Sequence, residues 1–257
     1  MDLPRGLSVG ATLNAALSDQ WRLLDLQALD SRVDQLAHRR RTLPEHAAIA
    51  ELLLRRDEVR DLLVGAQTED GDIGREQAKA EADVDQVVQR AQRDRNRMES
   101  GANPKELEAL QHEVASLARR QEELEDAVLE IMERREGVQA RVAELAAEQD
   151  AALARLAELE SARDAAMAEL DEEAAKLTGE RAMVAGGISG ELVTLYEKIR
   201  ASSDGVGAVA LRRGRCEGCR IDLSTTDLSD IKAKPEDAVV RCEDCRRILV
   251  RVADSGL

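Results

Sequence analysis

The chain has no phenylalanine, one tryptophan and one tyrosine among 257 residues. Large rings supply much of the volume that a close-packed interior needs. Their scarcity excludes a barrel, a sandwich or a doubly wound sheet for most of the chain. Long apolar runs are missing too, and none approaches the ~20 residues of a membrane span. The opening stretch, MDLPRGLSVGATLNA, has no long apolar segment and carries Asp2, so it does not read as a secretion signal. Histidine is sparse as well. His38, His46 and His112 lie on separate stretches, with no nucleophile–base pair, phosphate loop or open metal site in the sequence, so no enzyme is expected. What is present is 43% apolar and 35% charged residues, dominated by Ala, Leu, Glu and Arg. That is too apolar for a disordered acidic chain and is the composition of long helices and coiled coils.

Net charge is −15, which argues against general phosphate binding. The charge is uneven. Residues 205–257 hold 10 basic and 9 acidic residues, a balance of +1, which leaves −16 on residues 1–204. The acidic part reads as a solvated helix surface, and the last fifth of the chain is electrostatically distinct.

The longest regular pattern runs from Leu107 to Leu177. Alternating steps of three and four residues visit 21 positions, of which 16 are apolar and only Gln121, Arg135, Gln149, Arg163 and Glu173 are not. Ten heptads on one face predict a coiled-coil helix. A second frame runs from Ile49 through Val59, Leu63, Ala66 and Ala91 to Met98. Between them, Gly101 suits a left-handed stop, Asn103 an N-cap, Pro104 the first helical position and Glu106 the capping-box spacing. The two frames should fold back as an antiparallel hairpin with its tip near 100–106. Pairing seam positions whose numbers sum to about 205 sets Met98 against Leu107, Leu63 against Val142, and the polar Asp70 against Arg135. The same rule sets Leu36 by Leu170 and Leu29 by Leu177, so an earlier helix extends the outgoing arm beyond a break near 42–45. Thr42-Leu43-Pro44-Glu45 there reads as a capping box, with Thr42 as N-cap and Pro44 in the first turn of the next helix. Gly65, Gly71, Gly74 and Gly137 predict a soft level in the hairpin. Gly186-Gly187 should end the return helix, with Ser189 capping a short one that follows. The organisation expected is a kinked coiled-coil hairpin over 11–185, a connecting short helix over 186–204 and a metal-bound domain over 205–257. The fold class is mainly α, with a small C-terminal β ribbon.

That last domain holds all four cysteines. Cys216-Glu-Gly-Cys219 and Cys242-Glu-Asp-Cys245 are two CxxC turns separated by 22 residues. Each turn brings two sulfurs to one ion, and two turns complete a tetrahedral S₄ site. Flanking β-prone segments (206–211, 238–240 and 248–250) make this a zinc ribbon, with the intervening stretch read as a loop. Four thiolates close the coordination sphere, so one Zn²⁺ is structural and replaces a core that some 50 residues without aromatics could hardly build. A reduced, cytoplasmic setting is expected, where such pairs bind metal rather than form disulfides.

Residues 103–136, Tyr196 and the Cys216–Leu249 ribbon resemble a bacterial family of coiled-coil hairpin proteins with a C-terminal C4-type zinc ribbon. The most specific stretches are KELEALQ, LEIMER and CEDCRRIL. The resemblance covers most of the chain beyond about residue 15. It implies an elongated, kinked hairpin with the ribbon at its base, zinc on Cys216, Cys219, Cys242 and Cys245, and a non-catalytic adaptor or regulator. Arg246 departs from the glycine common at its position.

Two sets of residues are then candidates for partner binding. Arg212, Arg213, Arg215, Arg220, Arg241, Arg246, Arg247 and Arg251 cluster around the CxxC turns in sequence, and arginine suits phosphate. Against nucleic acid stand the near-neutral ribbon and its lack of any aromatic for base stacking. At the hairpin tip, Asn103, Pro104, Lys105 and Glu106 form a candidate docking turn. Trp21 and Tyr196 fall by register near the hairpin base, where both would pack and find polar partners. The expected role is an adaptor with protein partners of unspecified identity, no membrane, and a monomeric or weakly oligomeric chain. Nucleic-acid binding through the ribbon is the alternative.

Overall fold

The computed structural model describes residues 13–257. The expectations placed on residues 1–12 lie outside the described residues. Eight elements follow in order: α1 (Leu17–Arg41), α2 (Pro44–Glu99), α3 (Pro104–Gly186), α4 (Gly190–Ser202), β1 (Ala208–Arg212), β2 (Arg215–Cys216), α5 (Thr225–Ala233) and β3 (Ile248–Arg251). The long helices form a hairpin, and a small sheet lies in the C-terminal part of the chain. By packing, the chain divides into two units. One is Glu45–Ala162, and the other is the described part of Met1–Pro44 together with Arg163–Leu257.

Within Glu45–Ala162, α2 and α3 run antiparallel. Val59, Leu63, Ala66 and Leu145 form one buried cluster with Val142 and Ala146 packed against it, so Leu63 and Val142 fall in the same layer group of the seam. Ion pairs close the flanks, among them Arg55–Glu148 at 2.6 Å, Arg90–Glu113 at 2.6 Å and Arg97–Glu106 at 3.2 Å. All are exposed, so each contributes at most ~1 kcal/mol. The polar layer is real: Arg135 Nε donates to Asp70 Oδ1 at 3.0 Å and its Nη1 to Gln77 Oε1 at 3.1 Å. At the tip, Gly101 takes φ +98° and the Glu106 N–H donates to Asn103 Oδ1 at 2.9 Å. The Glu106 carboxylate pairs with Arg97 instead of closing a capping box.

The glycines do not interrupt the helix. Helix α2 runs without a break through Gly65, Gly71 and Gly74. A Cβ on Gly74 would sit 3.2 Å from Arg135 Nη2, so this glycine makes room for the half-buried polar layer. Gly65 and Gly137 face open space and have no such reason.

In the other unit, α1 lies along the end of α3. Leu29, Val33 and Leu36 pack with Leu170, Ala174 and Leu177, the partners set by the same pairing sum. Thr42 is not an N-cap. It ends α1, and its hydroxyl donates to the His38 carbonyl at 3.0 Å, the helical back-bond open to any threonine. Ser189 stands at the N-cap of α4 without a side-chain cap; its N–H is taken by Asp19 Oδ2 of α1 at 3.0 Å.

The sheet has the order β2-β1-β3, with β1 antiparallel to β2 and parallel to β3. Its two faces divide the core by the two-residue period of a strand. Ala208, Ile248 and Val250 join Leu23 and Leu26 of α1 and Leu192, Tyr196 and Ile199 of α4. Val209, Leu211 and Leu249 join the cysteines. Residues just before α1 add a further pairing: Val239 N–H donates to the Leu13 carbonyl at 2.9 Å and Ala15 N–H to the Asp237 carbonyl at 2.8 Å. The segment between the CxxC turns is not a plain loop. It carries α5, whose Ser224 and Asp227 form a reciprocal capping box.

Candidate metal centre and ribbon surface

The two CxxC turns are near-copies, RCEGCR and RCEDCR. In each, the first cysteine's N–H is held by a carbonyl five residues on: Ile221 for Cys216 and Arg247 for Cys242, both at 3.0 Å. The first cysteine's carbonyl accepts from the arginine four residues on, Arg220 N–H at 2.8 Å and Arg246 N–H at 3.0 Å. The arginine ahead of each turn then reaches across it. Arg215 Nε donates to the Arg220 carbonyl at 2.7 Å, and Arg241 Nε to the Arg246 carbonyl at 3.0 Å. Arg220 and Arg246 both sit at φ +62°, the left-handed conformation that favours glycine.

These turns bring four sulfurs together. Cys216 and Cys242 are buried, Cys219 and Cys245 half-buried, and the four Sγ atoms lie within 4.8 Å of one another. Cys216–Cys245 and Cys219–Cys242 are each 3.8 Å apart. A disulfide would need ~2.05 Å, whereas four Zn–S bonds of ~2.3 Å in a tetrahedron separate sulfurs by ~3.8 Å. The donor set fits one zinc ion with no position left for water or substrate. Burial pushes the metal-free Cys216 thiol up to about 12 and raises Cys242. At Cys245 burial is outweighed by the Arg247 N–H and the neighbouring sulfurs, which lower it. Zinc loading therefore releases protons, and its role here is structural.

Five of the eight candidate arginines are engaged in holding the ribbon. Arg215 and Arg241 bridge the turns as above. Arg212 pairs with Asp254 at 3.1 Å. Arg247 donates to the carbonyls of Val206 and Ser203, both at 3.1 Å. Arg251 donates to the carbonyls of Lys234, Pro235, Glu236 and Ala238. The other three, Arg213, Arg220 and Arg246, are exposed and have no side-chain partner among the described residues. All three adopt positive φ, Arg213 at +49°.

The chain's two aromatics lie beside this domain. Tyr196 is fully buried, and its hydroxyl donates to Asp30 Oδ2 at 2.7 Å. Buried Asp30 also takes Arg181 Nε at 2.6 Å, while Gln27 Oε1 accepts from Gly207 N–H at 2.7 Å. Burial and the Asp30 carboxylate together push the Tyr196 hydroxyl well above its usual range. Gly207 is obligatory, because a Cβ there would fall 2.7 Å from the Tyr196 ring. Trp21 is 49% exposed and fixed by its indole N–H, which donates to the Arg251 carbonyl at 2.8 Å. It lines a cleft of about 680 Å³ with Leu17, Arg213, Lys232, Lys234 and Glu236. The ribbon surface thus does have an aromatic, supplied by α1 from almost 200 residues away in sequence. The tip residues Asn103, Pro104, Lys105 and Glu106 build the turn into α3.

The model of the CT398-like coiled coil hairpin domain matches residues 26–204, and that of a C4-type zinc ribbon domain matches residues 215–249. This chain belongs to the CT398-like coiled-coil hairpin family. The uncharacterized protein Rv2229c of Mycobacterium tuberculosis (strain ATCC 25618 / H37Rv) is 37% identical over 241 residues, covering 93% of this chain and 98% of its own. A solved Mycobacterium smegmatis structure is 38% identical, covers 93% of this chain and 100% of that one, and superposes with a TM-score of 0.83. The structure of CT398 from Chlamydia trachomatis shares the fold at 18% identity, with a TM-score of 0.67 over 91% of this chain and 98% of that one. Neither matched model is that of a catalytic family. Hairpin and closed zinc site together describe a structural or binding protein. Among the described residues no helix is long and apolar enough to cross a membrane.

Proposed function

We propose that this chain is a cytoplasmic, non-catalytic adaptor that engages partner proteins through its zinc ribbon and its hairpin. One observation carries the reading. Arg213, Arg220 and Arg246 hold a left-handed backbone that costs a non-glycine residue ~1 kcal/mol, yet their side chains gain no partner among the described residues. The turns need that backbone, but glycine would supply it without strain, so an arginine kept there with a free side chain supports a contact surface for another molecule. Arginine is also enriched at interface hot spots. Crosslinking mass spectrometry in cells tests this, comparing wild type with Arg220→Gly/Arg246→Gly. The adaptor account expects partner crosslinks on the ribbon of wild type. It expects their loss in the variant, together with a more stable ribbon. Unchanged crosslinks in the variant would contradict it.

A second reading, nucleic-acid binding, is favoured by the cleft of Trp21, Arg213, Lys232 and Lys234. An exposed indole face beside three cations offers both stacking and phosphate contacts. Protein purified at low salt should then carry absorbance near 260 nm, and Trp21→Ala with Lys232→Glu/Lys234→Glu should remove it. Salt-independent absence of bound nucleic acid in wild type would eliminate this reading. Arg215 and Arg247 are unsuitable probes because both hold the ribbon's backbone.

A further inference from the structure

One level of the hairpin is unlike the rest. Residues 80–89 of α2 and 121–133 of α3 carry nine carboxylates and no lysine or arginine. Elsewhere in Glu45–Ala162 the arms are joined by Arg–carboxylate pairs, including Arg134–Glu76 at 2.8 Å on one side of this level and Arg90–Glu113 at 2.6 Å on the other. Between them no ion pair crosses the arms among the described residues. Glu81, Val84, Asp85, Glu125, Val128 and Leu129 instead line an open groove of about 320 Å³. Leu129 is 57% exposed, and Met132, one turn further along α3, is 38% exposed. Glu81 and Glu125 accept only from the neutral amides of Gln77 and Gln121, and Asp85 has no partner among the described residues.

The arrangement does nothing for the helices that carry it. Glu81 and Asp85 are like charges four residues apart, which weakens a helix, and Leu129 leaves apolar surface in water. An apolar floor walled by unbalanced carboxylates matches the mode in which an amphipathic helix lays its apolar face into a groove. The walls decide its charge. A second copy of this level would bring nine further carboxylates against these nine, and nucleic acid or an anionic membrane would be repelled in the same way. We infer that this groove is a docking site for a basic amphipathic helix of a partner protein, with Lys or Arg flanking its apolar stripe. The inference rests on the adaptor reading and names the partner chemistry for its hairpin end.

The test uses the full chain and a fluorescein-labelled 18-residue Leu/Lys amphipathic peptide, with a scrambled peptide of the same composition as control. Fluorescence anisotropy at ~0.15 M salt, where exposed charges are screened beyond ~8 Å, should show wild type preferring the amphipathic form. Leu129→Gln should weaken binding about tenfold. Glu81→Gln/Asp85→Asn/Glu125→Gln should weaken it at least as much. The matched triple Glu144→Gln/Asp150→Asn/Glu160→Gln, elsewhere on α3, should change it less than about twofold. Circular dichroism should report unchanged helix content in all three. No binding by wild type, equal losses in the two triples, or no preference over the scrambled peptide would overturn the inference. So would a sedimentation mass above the monomer that Leu129→Gln restores to monomer, since the occupant would then be a second copy. The adaptor reading fails separately, by the absence of any partner crosslink on the chain in cells.

Discussion

The segment Glu45–Ala162 and the ribbon-bearing unit solve the lack of aromatics in opposite ways. The first repeats a narrow Leu/Val/Ala seam, with exposed ion pairs on its flanks and one polar layer at Asp70–Arg135. Every layer resembles the next, so its stability should be close to a sum of small local terms. The second gathers unlike parts around two points, the four-sulfur site and the Tyr196–Asp30–Gln27 network. There each group is satisfied only by several others at once, so single changes should cost more and spread further. The contrast teaches where function can be read. In the seam, departures from the repeat are informative, as at the acidic groove. In the ribbon, the informative residues are those left over once the network is satisfied.

The largest expected effect is loss of the metal. Cys216→Ser should reduce zinc from one equivalent per chain to near zero. It should also unfold the ribbon, because structural zinc contributes on the order of 10 kcal/mol, while helical circular dichroism from α2 and α3 persists. Retained zinc with a folded ribbon would break the comparison at its strongest point. Gly207→Ala should destabilise the ribbon-bearing unit by ~3 kcal/mol, since both the ring and the carbonyl of Tyr196 block the new Cβ. Chemical denaturation of the variant checks it. In the seam, Leu63→Ala should cost ~2–3 kcal/mol and lower the thermal midpoint of the helical signal. Arg220→Gly should stabilise the ribbon by roughly 0.5–1 kcal/mol by relieving the left-handed backbone. A destabilised variant would show that the arginine side chain holds the turn after all. The smallest effect is a contrast between glycines. Gly65→Ala should stabilise α2 by up to ~1 kcal/mol, whereas Gly74→Ala should gain little, because it must displace Arg135. Equal gains at both sites would mean that the polar layer is not constrained there.

Much of this was legible in the sequence because it is local or strictly periodic. The heptad frames, the Gly101–Asn103 turn, the register that sets Asp70 by Arg135, and the paired CxxC turns all follow from short-range rules. Helix α5 was legible too, through Ser224 and Asp227 at capping-box spacing, but a long insert between cysteines reads first as loop. What sequence could not supply was assembly across long separations. The pairing of Leu13 and Ala15 with residues 237–239 and the indole of Trp21 on the Arg251 carbonyl depend on the packed fold. The same holds for the arginines. Eight looked alike in sequence, and only the hydrogen bonds separate the five that fasten the ribbon from Arg213, Arg220 and Arg246.

The central claim is that the metal and polar network hold the ribbon, while Glu45–Ala162 is held by its repeated seam without the metal. Hydrogen exchange followed by mass spectrometry, with and without zinc chelation, tests it most directly. The account predicts that chelation removes amide protection across residues 205–257 and leaves residues 45–162 as protected as in the zinc-loaded protein. Comparable loss of protection in both segments would contradict it.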